Sequence, residues 1–289
     1  MASRTLQSAI TRVSQVTQHL PSQAPIKQQL RKASGTAAGA TSFKLNTGAS
    51  IPAIGLGTWQ DKEAQEGAVY EALVHGYRHI DTAHIYGTEI GVGGGIRKSR
   101  VPRDEIFVTT KLWNNAHEPA DVEKQLDTSL KMMGLDYVDL YLMHWPSPFK
   151  AGDSLMPKDD SGKIIPGTAD YIDTYKAMEK LMSKGKARAI GVSNFSQAEM
   201  ERLVKNTGVV PAAHQIEMHP YLQQPSFQKW HDKHGIHVQQ YSPFGNQNPI
   251  YSKGENMGKL IDDPKLAEIG KKYNKTGAQV ALAWGIAHG

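Results

Sequence analysis

Between residues 42 and 289, short apolar runs alternate with longer stretches whose apolar positions recur every three or four residues. The short runs predict seven strands, at 54–56, 77–80, 106–110, 138–143, 187–192, 212–216 and 237–241, since near-continuous hydrophobicity suits strands buried on both faces. Val122, Leu126, Leu130 and Met133 share one side of a predicted helix over 120–133, and Tyr175, Met178 and Met182 one side of another over 171–184. Ahead of them, SFKLNTGASIPAIG reads as a small hairpin turning at Asn46, Thr47 and Gly48. Ser196, with Glu199 three positions on, has the form of a capping box for a helix running to Asn206.

Strand-helix alternation implies an α/β fold, a parallel sheet covered by helices. A doubly wound nucleotide fold would place G-x-G-x-x-G after its first strand. Gln60 stands where the third glycine belongs after Gly55-Leu56-Gly57, and the glycines of 91–95 fall inside a helical pattern. A TIM barrel of repeated βα units fits better, and such barrels carry their chemistry at the carboxyl ends of the strands.

Those ends are polar or aromatic. The second strand leads to Asp81 and Tyr86, the third to Lys111, the fourth to His144-Trp145-Pro146, the fifth to Ser193-Asn194, the sixth to Gln215 and Glu217, and the seventh to Tyr241-Ser242-Pro243. A barrel gathers them at one mouth. A tyrosine with an ordinary pKa of about 10 serves poorly near neutrality, and a neighbouring ammonium, here Lys111, favours its phenolate. Asp81 would keep the buried lysine charged and aimed, and His144 could hold a carbonyl oxygen near the phenol. A proton alone reduces nothing, so a reductive reaction also needs a hydride carrier. Ser193, Asn194 and Gln215 suit a carboxamide, and Tyr241 offers a flat face to an aromatic ring. Trp59, Trp113 and Trp145 follow three of the strands and could wall a substrate, although ordinary barrel packing would also use them.

Several function classes are excluded by composition. The 12 histidines include the helically spaced pair His231 and His234, but no carboxylate or cysteine pattern completes a metal site, and none is expected. Cysteine is absent, which removes disulfides and thiolate chemistry. The net charge of +5 resides in residues 1–40, where Arg4, Arg12, Lys27, Arg31 and Lys32 face no acid. The remaining chain is balanced, without the basic face a nucleic-acid reader requires. Residues 1–40 read as a basic flexible leader, either a disordered tail on a cytoplasmic protein or a mitochondrial presequence. No apolar run approaches the ~20 residues of a membrane span.

Taken together, GLGTW at 55–59, GYRHIDTAHIYGTE at 76–89, TTKLW at 109–113, LMHWP at 142–146, IGVSNF at 190–195, Gln215 with Glu217, His219-Pro220 and YSP at 241–243 resemble the aldo-keto reductases. Within them, AHQIEMHPYLQQ and QYSPFGNQNPIY resemble the fungal glycerol dehydrogenase and glyceraldehyde reductase branch. The resemblance implies a (β/α)8 barrel that interconverts carbonyls and alcohols with NADP(H), acting as a monomer on a small molecule such as glyceraldehyde. It implies a catalytic tetrad of Asp81, Tyr86, Lys111 and His144, with Tyr86 as the acid. Gly57, Thr58, Trp59, Asp81, Ser193, Asn194, Gln215, Tyr241, Ser242 and Pro243 are expected beside the cofactor. Trp59, Tyr86, Trp113, His144 and Trp145 are expected beside the substrate. The family continues past TGAQVALAWGIAHG into an eighth strand and a tail, so residues 41–289 are expected to form a barrel lacking both. An alternative reading is an impaired barrel serving as a binding or regulatory protein, or an incomplete gene model.

Overall fold

A computed structural model of the chain describes residues 41–246 and 259–289; the expectation of a leader over 1–40 lies outside them. The hairpin β1 (Ser42–Lys44) and β2 (Ser50–Pro52) precedes seven parallel strands. These are β3 (Leu56–Gly57), β4 (His79–Asp81), β5 (Phe107–Leu112), β6 (Leu140–Met143), β7 (Ile190–Ser193), β8 (Ala213–Glu217) and β9 (His237–Tyr241). They pair in chain order, so each hydrogen-bonds the next and β3 and β9 form the two edges. This is the seven-stranded, nearly closed barrel that the alternation implies.

The helices are α1 (Gln65–Val74), α2 (Glu89–Ser99), α3 (Pro119–Met133), α4 (Tyr171–Ser183), α5 (Gln197–Asn206), α6 (Pro225–His234), α7 (Pro264–Tyr273) and α8 (Gly277–His288). Local chemistry sets their ends. Proline opens α3 and Gly134, at φ +67°, closes it, while Ser196 and Glu199 form the expected capping box on α5. The glycines of 91–95 lie in α2 and let helices approach closely: a Cβ on Gly93 would sit 2.0 Å from the Met133 carbonyl oxygen.

Several strand boundaries differ from expectation. β3 begins two residues late, β6 and β7 begin at Leu140 and Ile190, and β5 runs through Lys111 to Leu112 with every residue buried. The alternation of the pleat explains how β5 tolerates a lysine. Val108 and Leu112 pack outward with the helices, and Tyr141 and Met143 do so on β6. Phe107, Leu140 and Leu142 point inward, with Phe43 and Ile51 of the hairpin closing that inner core. Lys111, an even number of residues from Phe107, therefore points inward too.

Buried histidines make the fold sensitive to acid. His79, 2% exposed, and His117, 1% exposed, each have a pKa lowered to about 4 by desolvation, against an ordinary 6.5. Because the folded values lie below the unfolded ones, the unfolded chain takes up protons first. Stability is complete above about pH 6.5 and is lost as pH falls toward about 4, by about 3 kcal/mol for each ring. Denaturant midpoints should fall over that range, and a flat profile would contradict neutral, buried rings.

Candidate active site

The inward parity of the strands assembles the site. Asp81 lies on β4, Lys111 on β5, Ser193 on β7, Gln215 on β8 and Gln239 and Tyr241 on β9, with Gly57 paired to Asp81 and Glu217 to Tyr241 in register. Lys111 is fully buried. Its Nζ donates to Asp81 Oδ1 at 2.6 Å, to the Thr82 carbonyl at 2.9 Å and to Tyr86 Oη at 3.5 Å. Burial alone would lower the lysine pKa, but Asp81 and then Tyr86 outweigh it and raise the value, so the ammonium persists.

Tyr86 ends a single 3-10 turn, His84–Tyr86, closed by Gly87 at φ +64°, which carries the phenol over the mouth. Its ring meets His144 edge-on at 5.6 Å and Trp59 at 6.5 Å. His144, only 8% exposed, has its pKa lowered well below 6.5 by desolvation and then by the Lys111 charge, and is neutral. Its Nδ1 is buried with no hydrogen-bond partner among the described residues. Trp113 lies against the same ring at 5.1 Å, with its indole nitrogen fixed by the Leu155 carbonyl at 2.6 Å. Trp59 and Trp145 are 46% and 38% exposed and face the opening.

Asn194, just after β7, and Gln215, on β8, are tied to Asp81, His144 and Tyr241. Gln215 Nε2 donates to Asp81 Oδ2 at 2.7 Å, and Ser193 Oγ donates to the Gln215 carbonyl at 2.9 Å. Asn194 Nδ2 donates to the His144 carbonyl at 2.9 Å, and its Oδ1 accepts from Tyr241 Oη at 2.7 Å. Asn194 and Ser242 have φ of +62° and +47°, the left-handed region that costs a side-chain-bearing residue energy and that clusters at functional sites.

A cleft of about 1450 Å³ opens over these groups. Every sequence-predicted residue lines it except Lys111, buried beneath, and Pro243, which borders a second cavity of about 220 Å³ beside the sheet edges. Thr58 reaches the cleft, but its hydroxyl bonds the Asp81 carbonyl at 3.1 Å and Thr88 Oγ1 at 3.3 Å. Sequence reasoning missed Gln239, whose Nε2 lies 3.3 Å from Asp81 Oδ2. Counting two residues back from Tyr241 along an alternating strand would have found it. Tyr221, Lys259 and Asp263, which also line the cleft, were missed as well. Among the described residues no cluster of three metal-ligating side chains occurs, and no helix is long and apolar enough to cross a membrane.

Residues 53–288 match the profile of the aldo/keto reductase family. An uncharacterized oxidoreductase of Schizosaccharomyces pombe is 49% identical over 250 residues, covering 86% of this chain and 77% of that protein. A D/L-glyceraldehyde reductase of Hypocrea jecorina is 44% identical over 253 residues, covering 83% of this chain and 75% of its own. An aldose reductase structure from Schistosoma japonicum superposes with a TM-score of 0.77 at 36% identity, covering 83% of this chain and 77% of that one.

Proposed function

The chain belongs to the aldo/keto reductase family, and on that premise we propose that it interconverts small aldehydes or ketones and their alcohols with NADP(H), Tyr86 giving the proton in reduction. The observation that carries the reading is the chain from Asp81 through the buried Lys111 to Tyr86. An ammonium 3.5 Å from the phenol oxygen stabilises the phenolate left when the proton departs. Asp81 and the Thr82 carbonyl hold that ammonium in place without solvent. His144 Nδ1 is buried without a partner among the described residues, and in this reading the neutral ring carries its hydrogen on Nε2, where it would donate to a carbonyl oxygen.

The residues fit a dinucleotide with a small substrate. The cleft exceeds the ~300–1000 Å³ of ordinary small-molecule sites. Asn194, Ser193 and Gln215 would hold the nicotinamide carboxamide, and Tyr241 would lie against its ring. Gly57, Thr58, Trp59 and Ser242 would border the remainder. When bound, the cofactor would supply the hydride. Trp59, Trp113 and Trp145 would wall off a small substrate, and the similarity to a D/L-glyceraldehyde reductase supports glyceraldehyde-like compounds. All of these groups come from one chain, so a monomer suffices.

Purified protein mixed with NADPH and glyceraldehyde should consume NADPH only when both are present. No consumption with any of a panel of small aldehydes, together with no NADPH binding, would overturn the reading.

A further inference from the structure

Behind β8, on the side away from the cleft, two histidines form a hydrogen-bonded chain whose protons are fixed from one end. The Phe227 carbonyl only accepts, so His231 Nδ1, 2.7 Å from it, carries hydrogen. His231 Nε2 is then a bare acceptor, and His214 Nδ1, 2.7 Å away, must donate to it. That leaves His214 Nε2 bare, and the Phe195 N–H donates to it at 3.1 Å. Both rings are fully buried. The rings of Phe195 and Phe227 stand around His214, and Trp230 stands against His231, so a misdirected proton finds no water. Burial holds both pKa values down, which keeps the pair neutral.

The chain ends at the peptide after Asn194. That residue has φ of +62°, and its ψ swings the Phe195 N–H, so the bond to His214 fixes the peptide plane. Asn194 is the knot of the mouth. Its N–H bonds the Gln215 carbonyl at 3.1 Å, its amide nitrogen the His144 carbonyl at 2.9 Å, and its amide oxygen the Tyr241 hydroxyl at 2.7 Å. Four strand ends meet through one side chain and its backbone.

We propose that His214, locked in one tautomer by His231, is a positioning residue that holds Asn194 in its left-handed conformation and, through the Tyr241 ring, sets affinity for the nicotinamide end of the cofactor. This rests on the reading of the cleft given above.

In His214→Leu, the Phe195 N–H loses its acceptor. The dissociation constant for NADPH, followed by quenching of tryptophan fluorescence, should rise about tenfold, and the NADPH KM should change more than kcat. His214→Gln, whose amide oxygen can accept the same N–H, should recover most of the affinity. In an Asn194→Ala background, His214→Leu should have little further effect, because its route to the cofactor is already cut. A folded His214→Leu protein that binds NADPH like the parent, or effects that add fully with Asn194→Ala, would overturn the proposal. If the leucine variant does not fold, ring-nitrogen NMR of the parent decides: His214 must be protonated on Nδ1 and bare on Nε2, and the reverse tautomer defeats the proposal. A parent that binds no NADPH would count against the reading of the cleft, while the ring-nitrogen measurement still judges the histidine chain.

Discussion

Replacing Tyr86 with phenylalanine is expected to lower kcat by about 10²- to 10⁴-fold, the range spanned by single acid-base groups, while NADPH affinity stays near that of the parent. Phenylalanine fills the same space and keeps the ring contacts with Trp59 and His144. It removes only the oxygen that lies 3.5 Å from the Lys111 nitrogen. Binding depends on other residues, so the loss should appear in turnover alone. Single-turnover measurements at saturating cofactor test this directly, and a variant retaining more than about a tenth of parental turnover would remove the phenol from the mechanism.

Lys111→Met should be damaging in two separable ways. The methionine chain occupies the same buried path, but Asp81 is left as an inward carboxylate with only the Gln215 and Gln239 amides opposite it. Breaking such a pair by removing one partner costs about 3–5 kcal/mol of stability. Turnover should also collapse, because nothing remains to stabilise the phenolate. Adding Asp81→Asn removes the stranded charge and should restore much of the stability but none of the turnover. Denaturant unfolding and steady-state kinetics on the single and double variants separate the two effects. Equal stability of Lys111→Met and the parent would mean that the two glutamines already satisfy the carboxylate.

Much of this site was legible because the chemistry sits at strand ends. Asp81, Lys111 and His144 stand out in sequence as polar residues at the ends of apolar runs, with Tyr86 just beyond Asp81, and the fold brings them together. Lys111 was expected at the close of its strand and instead lies inside β5, since an inward lysine can remain in a pleated strand when a carboxylate waits within the barrel. Side-chain bond partners were less legible. Ser193, expected to face a ligand, spends its hydroxyl proton on the Gln215 carbonyl, a pairing that depends on the register between β7 and β8. His214 and His231 lie 17 positions apart, and their contact arises only when α6 packs behind β8. The pair His231 and His234, which helical spacing makes visible, has no shared role: His234 bonds the Trp230 carbonyl and stacks on its ring.

Asp81 also has a mechanical office. Gln215 and Gln239 reach it from β8 and β9, across the interior from β4, so one carboxylate is a crosspiece between opposite walls as well as an anchor for the Lys111 ammonium. Exchange at the half-exposed rim tryptophans Trp59 and Trp145 would leave that crosspiece in place. The inner lattice has no such freedom, because any change that retunes the anchor also slackens the vessel that holds it.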